Sequence, residues 1–296
     1  MFHRVLMTII SIVAALSMYS TASADEPVRS VLAGTLAEMT YVELETAARN
    51  GAVALWALGA IEEHGPHLPL ATDVYVPTAQ LRKAQEKLAS QKISSVIVPA
   101  YYWGVNNVTG AFPGSIHIRP EIMTELMTDV FRSLARAGFK EIFCITGHYD
   151  AAHGRALIEA VRRANQAGII KANFVVPKPL GIRLGLREGE PGFLLIEPST
   201  GPAPVHPDLH AGEGETSAIL AIAPDLVHKD LAAKLRATDL TTNDIEEWRK
   251  GQERAKEITP QGYLGAPARA DANTGAARIE LEGRRIAEAI AASRPR

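Results

Sequence analysis

The chain has 296 residues, 33 acidic against 31 basic, for a formal net charge of -2. The charges are mixed in sign, with no basic run and no basic patch with interleaved aromatics, which excludes a nucleic-acid surface and points to a small molecule as partner. A single cysteine, Cys144, excludes an intramolecular disulfide; set in the apolar run Ile142-Phe143-Cys144-Ile145, it reads as a buried, inert thiol.

The first 24 residues read as an export signal rather than part of the fold. Arg4 precedes an apolar core over residues 5–16, and Thr21-Ala22-Ser23-Ala24 has the small-residue pattern of a signal-peptidase site. Cleavage after Ala24 leaves residues 25–296 as a single domain, periplasmic or secreted and without a membrane attachment. The apolar core is too short for a comfortable span.

Thr40 and Glu43 form a capping-box pattern for a first helix, which Asn50-Gly51 stops. The run Ala52-Val53-Ala54-Leu55-Trp56-Ala57-Leu58 is a buried strand. Residues 62–73 follow as a stiff loop, because Pro66 and Pro69 forbid a regular helix. Pro77 opens the next helix, with Leu81, Ala84 and Leu88 on one face. A β-branched strand is expected over 95–99. Pro120 starts a helix with Ile122, Leu126, Val130 and Leu134 in register, ending at Gly138. Strands over 141–146 and about 169–176 flank a helix carrying Leu157, Val161 and Ala164.

Alternating strands and helices imply an α/β fold, a layered, mostly parallel sheet with helices on both faces. Residues 177–209, rich in Gly and Pro, read as a lid or subunit-contact loop. An apolar helix then ends before Pro224, a charged helix covers 244–256, and a last helix carries Ile279, Ile286 and Ile290.

Three loops collect the chemistry. Glu62, His64, His67 and Asp73 follow the first strand, His148 and Asp150 follow the strand over 141–146, and His210 and Glu215 lead into the apolar helix. Ligands of such sheets gather beyond the carboxyl ends of the strands. A mixed histidine and carboxylate set suits zinc or manganese rather than calcium. The excess of carboxylates fits an acid bridging two ions, although one ion also satisfies the composition. Against these readings, Asp150 is also a good helix cap and Glu215 an ordinary first-turn acid. His67 suits orientation of a ligand by hydrogen bonding. His153, His117 and His228 read as structural or solvated, and Glu63 as facing solvent.

The motif Glu62-x-His64-Gly65-Pro66-His67-Leu68-Pro69-Leu70-x-Thr72-Asp73 resembles the signature of the creatininase (creatinine amidohydrolase) family. Phe112-Pro113-Gly114-Ser115, Gly147-His148-Tyr149-Asp150, His210-Ala211-Gly212-x-x-Glu215-Thr216-Ser217 and Gly262-Tyr263-Leu264-Gly265-Ala266-Pro267 are similar to its further motifs, in the family's order. The resemblance implies a metal-dependent amidohydrolase acting on a small cyclic amide or formamide, commonly hexameric. It implies one ion on Glu62, Asp73 and His148 and a second on His64, Asp73 and Asp150. Glu215 and His210 would be the catalytic base and acid, their division open. Asp150 stands where the creatininase branch carries Glu. The tryptophans that sandwich creatinine have no counterpart between Trp103 and Trp248, with His206 in one of their places, so creatinine is not the expected substrate. A lactone hydrolase on the same site, or a non-catalytic periplasmic protein binding metal or a small ligand, are the rival readings.

Overall fold

Five strands make one wholly parallel sheet in the order β2-β1-β3-β4-β5: β1 (Val53–Leu58), β2 (Ser95–Tyr101), β3 (Glu141–Thr146), β4 (Lys171–Pro177) and β5 (Phe193–Ile196). The computed structural model describes residues 32–197 and 205–294, which belong to one compact unit; the export signal expected at 1–24 and part of the 177–209 segment lie outside them. Among the described residues no helix is long and apolar enough to cross a membrane.

β1 is buried at all six positions, and its alternation feeds two cores. Ala54, Trp56 and Leu58 face one side, with Met123, Met127 and Phe131 of α3 (Pro120–Arg136) and Leu157 and Val161 of α4 (Ala151–Gln166). Val53, Leu55 and Ala57 face the other, with Leu81 and Leu88 of α2 (Thr72–Ser90) and Ile286 and Ile290 of α10 (Ala272–Ala292). Gly275 and Gly283 let α10 close in: a Cβ on Gly275 would lie 1.9 Å from the Ser217 carbonyl oxygen, and one on Gly283 2.4 Å from Lys83 Cβ. Between these elements run α1 (Tyr41–Arg49), closed by the Thr40–Glu43 capping box, α5 (Lys178–Arg183), α6 (Glu213–Ile222), α7 (Lys229–Ala232), α8 (Thr242–Trp248) and α9 (Gln252–Ile258).

Four local expectations are corrected. The helix expected to open at Pro77 starts at Thr72 and contains the proline, so Asp73 sits in its first turn instead of in a loop. The buried face of α3 is Met123, Met127, Phe131 and Leu134, leaving Ile122 and Leu126 exposed; an i, i+4, i+8 stripe of larger side chains wins the core. Residues 178–183 and 193–196 are a helix and the fifth strand, not loop; the Phe193–Ile196 run is short but pairs along β4. The helix expected over 244–256 is two helices broken at Gly251, whose φ of 81° a helix cannot carry.

The chain leaves β1 toward β2 on one side and returns through β3 on the other, so the order of winding reverses between β1 and β3. At that reversal the connections after neighbouring strands diverge and leave a crevice at their carboxyl ends. The Leu58–Thr146 register pairing sets the two strand ends side by side.

Candidate metal centre

Each side chain of the centre is held by the main chain around that crevice. Past β1, Glu62 N–H donates to the Leu70 carbonyl (2.9 Å), closing the loop that returns to α2 and Asp73. Past β3, His148 N–H donates to the Thr146 hydroxyl (3.0 Å). His210 forms an antiparallel bridge with Leu264, which brings the C-terminal loop against the sheet edge. Ala211, with φ at 48°, turns the chain into α6 and donates its N–H to Glu215.

The three loops bring Glu62, His64, Asp73, His148, His210 and Glu215 together. Three sets have donor atoms within 4.8 Å of one another: Glu62, Asp73 and His148; His64, Asp73 and Glu215; and Glu62, His64 and His210. Glu62, His64 and Asp73 each belong to two of them, and Asp73 turns Oδ2 to His148 and Oδ1 to His64. His148 Nδ1 lies 2.8 Å from Glu62 Oε2 and 2.9 Å from Asp73 Oδ2. His64 Nε2 lies 3.3 Å from Asp73 Oδ1 and 3.8 Å from Glu215 Oε2.

The imidazoles are set in one particular tautomer. A carbonyl oxygen only accepts, so the ring nitrogen facing it carries the proton. His148 Nε2 donates to the Val105 carbonyl (2.9 Å), His64 Nδ1 to the Glu62 carbonyl (3.1 Å) and His210 Nε2 to the Glu63 carbonyl (2.8 Å). In the rings of His148 and His64 the second nitrogen is therefore the one that can give a lone pair to an ion. For His148 and His64 that nitrogen faces carboxylates, and His64 Nε2 is fully buried with no hydrogen-bond partner. An orphaned buried nitrogen between two carboxylates is a poor arrangement without a cation and a good one with it. These residues fit divalent ions.

The electrostatics agree. Burial opposes charge on His64, but Asp73 and Glu215 outweigh it and lift its pKa to about 9. Burial likewise opposes charge on His210, yet Glu62, Glu63 and Glu215 raise it to about 10. His148 is raised well above the usual imidazole range against its own burial, by Glu62 and Asp73. Asp73, despite burial, is held well below the carboxylate range by His64 and His148. Burial, first of all, raises Glu215. A pocket that draws protons onto three buried imidazoles is one that attracts positive charge.

The structure does not bring Asp150 into these sets. Its Oδ2 accepts from the N–H groups of Asn107 and Val108 (both 2.8 Å), and its Oδ1 caps α4 through Ala152 N–H (2.7 Å). Three main-chain donors occupy most of this carboxylate's acceptor capacity, and Glu215 stands beside His64 and Asp73 instead. Glu63, expected to face solvent, is buried and 3.2 Å from His210 Nε2. His67 holds the Thr216 hydroxyl through Nε2 (2.8 Å), and His153 accepts from Val105 N–H, so both act on the scaffold.

Four residues carry no signal in the sequence. The Thr109 hydroxyl donates to Glu62 Oε1 from a loop 47 residues away. Trp248 sets its ring 5.9 Å from that of His210. With Arg183 and Arg249 it lines a cavity of about 150 Å³ that opens over Glu62, Asp73, His148, His210 and Glu215. Only the spacing of motifs was available to find them, and none of the four lies in one.

Chemically, this edge of the sheet can hold divalent cations beside a small cavity, the equipment of a metal-dependent hydrolase. The Creatininase family model, described as creatinine amidohydrolase, matches residues 37–290, and the chain belongs to that family of amidohydrolases. It is 28% identical over 219 residues to the creatinine amidohydrolase of Pseudomonas putida, covering 68% of this chain and 75% of that protein. It is 30% identical over 241 residues to the mycofactocin precursor peptide peptidase of Mycobacterium tuberculosis, covering 79% of each. The solved structure of a manganese creatininase superposes with a TM-score of 0.64 at 25% identity, over 89% of this chain and 99% of that one. The parallel sheet and the helices around it match those of the solved creatininase structures.

Proposed function

We propose that this protein is an exported amidohydrolase that cleaves the C–N bond of a small amide with two divalent ions, zinc or manganese, held on a shared Asp73. The sharing of Asp73 between two ligand sets carries the reading. Glu62, Asp73 and His148 would hold one ion; His64, Asp73 and Glu215 would hold the other, with Glu215 in the place that the resemblance gives to Asp150. When bound, such ions polarise a carbonyl and acidify a water.

The chain's own residues do the rest. Main-chain carbonyls lock His148 and His64 in the ligand tautomer, and the Thr109 hydroxyl orients Glu62. Trp248, Val108 and Leu209 wall the cavity and keep bulk water from the reacting amide. His210 has its Nε2 engaged by Glu63 and its charged form favoured by the surrounding acids, so Nδ1 carries the second proton, the one to hand to the departing amine. Support for export comes from the residue pattern of positions 1–24, and support for a hexamer from family resemblance.

Purified mature protein is screened against lactams, formamides, lactones and short peptides, with the peptides included because a peptidase is among the relatives. EDTA should abolish turnover and added Zn²⁺ or Mn²⁺ restore it, and Glu215→Gln should lose both turnover and about one ion per chain. Turnover that survives chelation and Glu215→Gln alike sinks the reading. Preference for a lactone would keep the site and replace the substrate. Export is checked by N-terminal sequencing of the mature protein, expected to begin at Asp25.

A further inference from the structure

The cavity that opens on the centre has a floor of one charge and a lip of the other. Its floor is acidic, with Glu62, Asp73 and Glu215. Its lip carries two guanidinium groups, Arg183 and Arg249. Arg183 ends α5, and its Nη2 donates to the Tyr149 carbonyl (3.0 Å), which pins it to the loop bearing His148. Arg249 directly follows Trp248 at the end of α8. Neither is in an ion pair among the described residues; burial first, then Arg249, disfavours charge on Arg183, while Asp150 and Tyr149 favour it. Asp150, which also lines the cavity and favours charge on Arg183, accepts from three main-chain N–H groups. The two guanidinium groups thus line one cavity mouth with no carboxylate in an ion pair with either. An anion seated between them gains charge-assisted hydrogen bonds.

We propose that Arg183 and Arg249 form a carboxylate-binding lip, so that the substrate is an amide bearing a carboxylate, its carbonyl turned to the acidic floor and its anionic end to the lip. The identification as substrate rests on the amidohydrolase reading above; the recognition of a carboxylate does not. Acyl-amino acids, lactam carboxylates and the C-terminal end of a short peptide share this chemistry. The floor, which divalent ions would occupy, and the lip, made of cations, are both matched by a ligand with an electron-rich carbonyl at one end and a carboxylate at the other. The wall between them, Val108, Leu209 and Trp248, takes the carbon body.

The test is calorimetric titration of the metal-loaded protein with N-acetylglycine and 5-oxopyrrolidine-2-carboxylate, each against its primary carboxamide. The acids should bind about tenfold or more tightly than the amides, a difference of about 1.4 kcal/mol, and the preference should shrink in high salt. Arg183→Gln and Arg249→Gln should each reduce the preference and the double variant remove it, with metal content and circular dichroism unchanged. Arg183→Lys, which keeps the charge, should retain part of it. Equal affinity for acid and amide, a preference that survives the double variant, or no acid-selective binding at millimolar concentration overturns the proposal. Acid-selective binding without turnover of any amide would leave the lip standing and sink the amidohydrolase reading; turnover with a preference for the neutral amides would do the reverse.

Discussion

Replacing Asp150 by alanine separates a metal ligand from a structural cap. In the structure the carboxylate, 6% exposed, accepts from Asn107, Val108 and Ala152 N–H. Losing the cap on α4 costs about 1 kcal/mol. The Asn107 and Val108 N–H groups, left without an acceptor, add about 1–3 kcal/mol each if buried and less where water reaches them. Together the loss is about 3–5 kcal/mol, roughly 10 °C in melting temperature for a domain of this size. Asp150→Asn keeps one acceptor oxygen but turns an NH₂ toward an N–H, and should lose about half as much. Urea unfolding gives the stability, and elemental analysis of protein saturated with Zn²⁺ or Mn²⁺ gives the ions per chain. The expected result is a large loss of stability with the number of ions unchanged, and a modest fall in affinity because the same loop carries Val105 and Thr109. Loss of one ion from a variant of unaltered stability would refute the cap and restore Asp150 as a ligand.

Thr109→Val, nearly the same in shape, removes the hydroxyl that orients Glu62 and should weaken metal affinity about 10–100-fold by chelator competition. Gly275→Ala places a Cβ 1.9 Å from the Ser217 carbonyl; the forced separation of α10 from α6 should cost about 2–4 kcal/mol in chemical denaturation. His67 is buried, and burial first, then the neighbouring His64, lowers its pKa to about 4. Its contribution to stability is complete above the unfolded value of about 6.5 and lost as pH falls toward 4, worth about 2 kcal/mol after solvent screening. His67→Gln should therefore show a shallower acid limb in stability against pH; an unchanged slope between pH 6.5 and 4 contradicts this.

Sequence alone determined the α/β class and most of the helices and strands, because alternating apolar runs of strand and helix length are local. It also determined which three loops carry the chemistry, because rigid Pro- and Gly-bounded motifs concentrate Glu62, His64, Asp73, His148, His210 and Glu215 at strand ends. Tertiary structure decided what those residues face. Asp150 reads equally as ligand or cap until the 107–108 loop supplies the two N–H groups that claim it. Glu63 reads as exposed until Gly262, from the far end of the chain, packs against its carboxylate so closely that a Cβ there would lie 1.9 Å away. The tautomers of His64, His148 and His210 depend on carbonyls whose positions no spacing rule encodes, and Thr109, Arg183, Trp248 and Arg249 reach the cavity from loops without a motif. A side chain's type is a property of its own position, whereas its hydrogen-bond partner and its electrostatic surroundings are set by residues tens to hundreds of positions away, which only the folded chain brings within reach.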